Sequence, residues 1–333
     1  MSTLMTLISA AILLASDSLT WQKGPSLETG RDHHATFVTA RGGKARLWVV
    51  GGNDYRRVFG DVWSAEIRRD GSVSEWQRSN SLPFPRAGHA VAADDRTVII
   101  AGGQDSTLRK TTEVWTAQIG NDGRLGAWTL GTPLPAPRFH HAMLLHDGWL
   151  YLVGGLEARE SVAKVHRARI GRDGKIGSWE SLSDLPRPRS HHAMVVHDGA
   201  LYLLGGLDGN PAGTNTPLDD VLRAEINRDG TLGEWREVSR FPHAYATHAS
   251  AVFGGALWLF GGVEDNARFV NVVLRAPLAH DGTVGTWTTV EPGLPAARSH
   301  VHQVPVHDGR AYSVGGSNRR VVTGDVYFAP LGR

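Results

Sequence analysis

Arginines recur at similar points along this 333-residue chain and could bind acidic groups. Five repeated segments each begin near an arginine, and a tyrosine stands at the corresponding position of one more: Arg31, Arg86, Arg138, Arg189, Tyr245 and Arg298. A guanidinium offers paired N–H donors that match the two oxygens of a carboxylate. The series therefore predicts either anchors for an acidic ligand or internal ion pairs.

Carboxylates form a second series, each two residues after a pair of glycines. The positions are Asp54, Asp105, Glu157, Asp208 and Glu264, with Asn318 in the last segment. Pairing between the arginine and acidic series would make a structural girdle. A carboxylate without such a partner could instead transfer protons near neutral pH, as a histidine could. The candidates for that role are Glu157, Glu264 and His243.

Histidines form a third series, three residues after each arginine position. Its members are His34, His89, His141, His192 and His248, with Val301 in the last segment, and some segments add a neighbour: His33, His140, His191 and His300. Imidazole binds copper and zinc, but one imidazole per segment predicts a ring too wide for most to share an ion. We interpret the main series as structural, hydrogen-bonded to the backbone of the adjacent segment. Near Tyr245, the residues His300 and His302 leave a metal site open; no cofactor is otherwise expected.

The elements that must position these residues are short strands. In the segment 189–239, apolar runs at 193–196 and 200–204 flank an Asp-Gly turn, and a third run at 221–226 precedes another. Asp-Gly turns accept the positive φ that tight hairpins require. Each segment is therefore predicted to be a four-stranded antiparallel meander, with strands a, b, c and d in chain order.

The meander recurs with a period of about 50 residues. Gly-Gly pairs follow strand b at 51–52, 102–103, 154–155, 205–206, 261–262 and 315–316, and tryptophans open strand d at Trp76, Trp128, Trp179, Trp235 and Trp287. From about residue 20 to its end, the chain resembles the kelch-repeat family in this register of diglycine and tryptophan. The resemblance implies an all-β, six-bladed kelch-type β-propeller with four antiparallel strands per blade.

The repeats predict one domain over residues 16–333. Its blades are expected at about 31–79, 86–131, 138–182, 189–239, 243–291 and 298–331. The last blade lacks a strand d, which residues 19–27 around Trp21 would supply. The N-terminal strand would then pair onto the C-terminal blade and close the ring, which hides two exposed sheet edges.

Composition and the N-terminus narrow the range of partners. The net charge is only +2 and basic residues are dispersed, so we expect neither nucleic-acid binding nor membrane insertion. Cysteine is absent, which excludes disulfides, thiolate metal sites and a cysteine nucleophile. The apolar run 1–15 has the length of a signal-peptide core and is short for a membrane span. It predicts a secreted or periplasmic protein, although its lack of Lys and Arg keeps a cytoplasmic location open.

The kelch resemblance implies a ligand face at the mouth formed by the b–c and d–a loops. We expect a binding module for an acidic or carbohydrate-like ligand, or for a protein or peptide. The candidate contacts are Arg31, Tyr55, Arg86, Arg138, Arg189, Tyr245, Arg298, Asn318 and Arg319. One alternative is a sugar-acid epimerase or mutarotase, because the chain is similar in size to the exported bacterial kelch sialic-acid epimerases. Another is a metal-dependent redox enzyme built on Tyr245 and the nearby histidines.

Overall fold

The computed structural model describes residues 18–332. Within this range the chain forms antiparallel β-sheets and no helix. The residues described thus include no helix that could cross a bilayer. The predicted signal peptide, residues 1–15, lies outside the described residues.

Six four-stranded sheets make up most of the fold. The chain enters through β1 (Gln22–Gly24), which belongs to sheet 6. Sheet 1 contains β2 (Ala35–Arg41), β3 (Lys44–Val50), β4 (Val62–Ile67) and β5 (Gln77–Arg78). Sheet 2 contains β6 (Ala90–Ala93), β7 (Thr97–Ala101), β8 (Val114–Gln118) and β9 (Thr129–Leu130). Sheet 3 contains β10 (Ala142–His146), β11 (Trp149–Val153), β14 (Val165–Arg169) and β15 (Glu180–Ser181), and its b–c loop carries the pair β12 (Leu156–Glu157) and β13 (Glu160–Ser161).

The second half of the chain repeats the arrangement. Sheet 4 contains β16 (Ala193–His197), β17 (Ala200–Gly209), β18 (Asn215–Glu225) and β19 (Arg236–Arg240). Sheet 5 contains β21 (Ala249–Phe253), β22 (Ala256–Phe260), β25 (Val273–Pro277) and β26 (Thr288–Thr289). Beside it, a small sheet contains β20 (Tyr245–Ala246), β23 (Val263–Glu264) and β24 (Arg268–Phe269). Sheet 6 contains β27 (Val306–His307), β28 (Arg310–Val314), β29 (Val326–Pro330) and β1.

The two ends of the described chain meet in sheet 6. Strand β1 pairs antiparallel with β29, with Gln22 opposite Phe328 and Gly24 opposite Val326. Leu19 and Leu27, on either side of β1, are buried. The N-terminal segment therefore supplies the outer strand of the C-terminal sheet.

Neighbouring sheets pack face to face through both sides of their central strands. In β3, Leu47 and Val49 pack with residues of sheet 6, whereas Trp48 and Val50 pack with residues of sheet 2. This division follows from the two-residue period of a strand, which sends successive side chains to opposite faces. Fully burying each such side chain stabilises a fold by about 1.5–3 kcal/mol.

Three of the repeated tryptophans donate a hydrogen bond to the sheet before their own. Trp76 Nε1 donates to Pro25 O at 2.8 Å, and Trp128 Nε1 donates to Asn80 O at 2.8 Å. Trp287 Nε1 likewise donates to Ser239 Oγ at 3.1 Å. In these three sheets the indole combines apolar packing with a satisfied donor, whereas the buried Nε1 atoms of Trp179 and Trp235 have no hydrogen-bond partner among the described residues.

The diglycines allow the backbone of the next sheet to approach closely. In sheet 1, Gly51 and Gly52 have φ of 60° and 95°. A Cβ at Gly51 would lie 2.5 Å from Arg86 O, and one at Gly52 would lie 2.8 Å from His34 Cβ. The Gly52 N–H donates to Arg86 O at 2.7 Å. Positive φ and missing space together require glycine at this junction.

Candidate functional site

The five arginines of the series are buried and paired within their own sheets. Arg31 lies 2.7 Å from Asp61, Arg298 lies 3.7 Å from Asp325, and Arg86 pairs with Glu113. Arg189 binds both oxygens of Asp220, at 3.1 and 2.8 Å. In these four sheets the acid directly precedes strand c or lies in its extended first half, and it is not the predicted acid after the diglycine. The contacts favour a structural girdle, because the positive charge is neutralised and shielded from solvent.

Sheets 3 and 5 use a different partner because they lack that acid. Lys164 and Val272 stand before strand c there. In sheet 3, Arg138 Nη2 lies 2.7 Å from Glu157 Oε1. In sheet 5, the Tyr245 hydroxyl donates to Glu264 Oε2 at 3.1 Å. The loop acid is a glutamate in these two sheets only, and its extra methylene lengthens its reach.

The candidates for proton transfer already take part in hydrogen bonds or ion pairs. Glu264 is buried and accepts from Tyr245 and also from Arg268. Burial, followed by the charge of Glu264, raises the pKa of Tyr245 well above its usual range. Tyr245 is thus a buried phenol rather than an exposed aromatic face. His243 is exposed, with Nδ1 3.3 Å from Asp265, and it lies close to Glu264. Glu157 belongs to sheet 3, so the structure brings together two of the three candidates.

Three further members of the series after the diglycines, Asp54, Asp105 and Asn318, shape their own loops. Asp54 Oδ1 accepts from the Arg56 and Arg57 N–H groups at 3.0 and 2.9 Å. Asp105 Oδ1 accepts from the backbone N–H of Thr107 at 2.8 Å. Asn318 Oδ1 accepts from the backbone N–H of Val321 at 3.1 Å. These contacts are the local side-chain turns typical of Asx residues.

The main histidine series lies at the junctions between sheets. A Cβ at Gly51 of sheet 1 would lie 3.1 Å from His89 Cε1, and one at Gly154 of sheet 3 would lie 2.9 Å from His192 Cε1. Burial lowers the pKa to about 3 at four of these positions: His34, His89, His141 and His248. These imidazoles are neutral and act as packing groups, and Val301 takes the same place in sheet 6.

A closed cycle of backbone hydrogen bonds links all six sheets next to this series. Six residues with positive φ each donate to the next: His33 to His300, His300 to Thr247, Thr247 to His191, His191 to His140, His140 to Gly88 and Gly88 to His33, at 2.8 to 3.1 Å. Because four of these residues are histidines, their side chains are gathered at the centre of the cycle.

Five imidazoles form what we call the central histidine cluster: His33, His140, His191, His300 and His302. The ring centroids of His33 and His300 are 4.1 Å apart, those of His140 and His191 are 3.7 Å apart, and that of His302 is 4.9 Å from that of His140. Sequence reasoning singled out His300 and His302 but grouped them with Tyr245, which is buried against Glu264. The available signal was a histidine one position before the main series, which is present in four of the segments.

The loops of sheets 6, 1 and 2 present exposed apolar and basic side chains. Tyr55 is 59% exposed, Leu108 is 68% exposed and Val321 is 55% exposed. Five exposed arginines accompany them: Arg56, Arg57, Arg109, Arg319 and Arg320. A cavity of about 510 Å³ is lined by Tyr55, Arg56, Arg57 and Leu108 together with His33. We call this surface the basic apolar face.

The long b–c loop of sheet 4, residues 207–220, is mostly regular. Its ends extend β17 and β18, with Leu207 opposite Pro217 and Gly209 opposite Asn215. Among the predicted ligand residues, Tyr55, Asn318 and Arg319 are exposed, whereas the others lie in the interior.

Comparisons with known proteins agree with the repeat pattern. Residues 68–238, just over half of the chain, match the KLHDC2/KLHL20/DRC7 kelch-repeats domain. The chain is 28% identical over 237 residues to alpha-scruin of Limulus polyphemus, covering 68% of this chain and 24% of that protein. It is 23% identical over 263 residues to kelch-like protein 36 of Bos taurus, covering 78% of this chain and 40% of the relative. The chain thus spans well under half the length of these relatives. The matching kelch-repeats domain and the relatives together show that the chain belongs to the kelch-repeat family.

Proposed function

We propose that the chain is a six-bladed kelch propeller that acts as a non-catalytic protein-binding module. In this proposal the six sheets are the blades, and the N-terminal strand closes the ring. The six-membered cycle of backbone hydrogen bonds and the pairing of β1 with β29 support the ring. The binding surface is the basic apolar face.

One observation carries the functional part of the proposal. Within residues 18–332, five large hydrophobic side chains are strongly exposed. Three of them, Tyr55, Leu108 and Val321, stand on adjacent b–c loops, and Phe84 stands on the nearby d–a loop. Clustered apolar exposure on a rigid scaffold is typical of an interaction site. Kelch-repeat domains commonly bind other proteins, which agrees with this use.

Charge indicates the chemistry of the partner. The exposed arginines of the face outnumber its acids, and Asp54 and Asp105 are held by the backbone of their own loops. A protein segment with acidic residues around an apolar anchor would complement this surface. Complementary charge would speed association, and the anchor would supply most of the affinity.

The buried arginine girdle argues against a sugar-acid enzyme. Epimerisation would require an accessible guanidinium for the substrate carboxylate and a nearby group for proton transfer. Arg138 and Arg189 instead have carboxylate partners within their own sheets, and Glu157 is the partner of Arg138.

The test is affinity capture with matched variants of the full chain. Leu108→Asp places a charge on the proposed face, whereas Leu130→Asp changes a residue that is 65% exposed on β9, away from it. Captured proteins should be lost with Leu108→Asp and kept with Leu130→Asp, and the purified partner should then bind the parent chain directly. The proposed binding face would be contradicted if both variants lost the same proteins. It would also be contradicted if both variants kept them. Binding of a sugar acid that Leu108→Asp leaves intact would favour the small-ligand alternative.

A further inference from the structure

We propose that the central histidine cluster binds one divalent transition-metal ion of the class that prefers imidazole, Zn²⁺ or Cu²⁺. This site does not depend on the protein-binding function proposed above, although His33 also lines the cavity of the basic apolar face. Its ligands are His33, His140 and His300, each of which offers a nitrogen within 4.8 Å of the other two. Three imidazoles with an open position are a common ligand set for such ions.

The spacing of the three nitrogens is close to what an ion requires. With metal–nitrogen bonds of about 2.0–2.1 Å, tetrahedral ligand atoms lie roughly 3.4 Å apart. Starting from 4.8 Å or less, each ring would move inward by less than about 1 Å. The cycle of backbone hydrogen bonds holds the backbones of His33, His140 and His300 close together. Small side-chain rotations would therefore bring the three nitrogens to the distance that an ion requires.

Neighbouring side chains orient two of the ligand rings. His33 Nδ1 lies 2.7 Å from Oδ1 of the buried Asp32, a contact in which the imidazole donates. His300 Nδ1 is hydrogen-bonded to Ser299 Oγ at 2.9 Å. Holding Nδ1 in this way leaves the Nε2 lone pair for a metal, and a carboxylate behind the imidazole strengthens it as a ligand.

The cluster also contains buried nitrogens without a hydrogen-bond partner. His140 is 4% exposed, and its Nδ1 has no partner among the described residues. Phe139 precedes it where Asp32 precedes His33, so no side chain is available there. His302 Nε2 is buried and without a partner in the same part of the chain. A metal ion would satisfy buried imidazole nitrogens of this kind, and the rings of His33, His140 and His300 lie close enough together to share one.

A second group of potential ligands offers an internal comparison. His243, Glu264 and Asp265 also lie close together, but Glu264 is engaged by Tyr245 and Arg268. We therefore place the ion in the central histidine cluster and use His243 as a control position.

The experiment titrates the metal-free full chain with Zn²⁺ alone by calorimetry and with Co²⁺ by visible absorption. We expect one ion per chain and the visible bands of tetrahedral Co²⁺. His140→Gln and His300→Gln should weaken binding at least about 10-fold, and Asp32→Asn should weaken it by about 10- to 100-fold. His243→Gln and the exposed His280→Gln should leave affinity unchanged.

Two results would overturn the site. One is the absence of Zn²⁺ binding, and the other is binding that His243→Gln abolishes while His300→Gln preserves it. Circular dichroism shows whether each glutamine variant is folded. Should His140→Gln or His300→Gln not fold, pulsed electron paramagnetic resonance of Cu²⁺ on the parent chain replaces them. Several coordinated imidazoles support the cluster, and a single imidazole excludes it.

Discussion

Removing the Arg189 guanidinium is expected to destabilise the fold directly. Arg189 is 0% exposed, and it donates to both oxygens of Asp220 and to Gly205 O. Arg189→Met keeps an apolar stem but leaves the Asp220 carboxylate, with a side chain only 14% exposed, without its cation. Removing one member of a buried ion pair costs about 3–5 kcal/mol. We therefore expect the free energy of unfolding to fall by about that amount.

Two control variants separate the ion pair from packing. The double variant Arg189→Met/Asp220→Leu removes both charges and should recover most of the loss, because buried pairs are often replaceable by apolar residues. Sheet 5 provides a natural precedent, since it has Tyr245 and Val272 at positions that carry an arginine and an acid in sheets 1, 2 and 6. Arg236→Met breaks an ion pair with Glu234 that is about three-quarters exposed, so it should cost no more than about 1 kcal/mol.

The assay is urea unfolding monitored by circular dichroism. The dependence of the free energy of unfolding on urea concentration is compared between variants. The reasoning is refuted if Arg189→Met costs less than about 1 kcal/mol, or if the double variant is as unstable as the sum of its single variants. A loss of ligand affinity at unchanged stability would instead return Arg189 to the candidate binding residues.

Three further predictions concern the junctions between sheets. In urea unfolding, Gly51→Ala should lower the free energy of unfolding more than Gly43→Ala does. Both glycines have positive φ, but of the two only Gly51 faces Arg86 O. Equal losses of stability would contradict the close approach at Gly51. The free energy of unfolding should fall as the pH drops from 6.5 towards 3. The reason is that His89 binds a proton in the unfolded chain but not in the fold, where its pKa is about 3. His89→Val introduces the residue found at the equivalent position 301 and should reduce the slope of stability against pH by up to about 1.4 kcal/mol per pH unit; an unchanged slope would show that His89 is not neutralised by burial. Deleting residues 1–27 should lower the free energy of unfolding by several kcal/mol relative to deleting residues 1–17. The longer deletion also removes β1 and the buried Leu19 and Leu27. Equal stability of the two truncated chains would mean that β1 does not support sheet 6.

The local repeat was readable from the sequence because its determinants are close together along the chain. Hairpin turns, alternating apolar residues and diglycines act within one segment, so the kelch resemblance and the four-stranded antiparallel sheets were predicted and are confirmed. Six blades, ring closure, the domain limits and export stay predictions.

The partners of the charged residues were decided by tertiary structure. The sequence predicted that Arg31 and its equivalents could pair with the acids after the diglycines, but only Arg138 pairs with such an acid, Glu157. The others pair with an acid further along, directly before strand c or within its extended first half. The sequence shows that the acid after the diglycine is a glutamate in sheets 3 and 5. That this glutamate replaces the acid missing before strand c follows only from the contacts in the structure.

The central histidine cluster shows the same limit most clearly. His33 and His300 are 267 positions apart in the chain, yet their rings stack at 4.1 Å. The sequence alone determined that histidines recur in register in most segments. Only the tertiary structure decided which of them meet. The residue with positive φ before strand a brings its histidine ring against those of the other segments, whereas the next histidine packs at the junction between sheets.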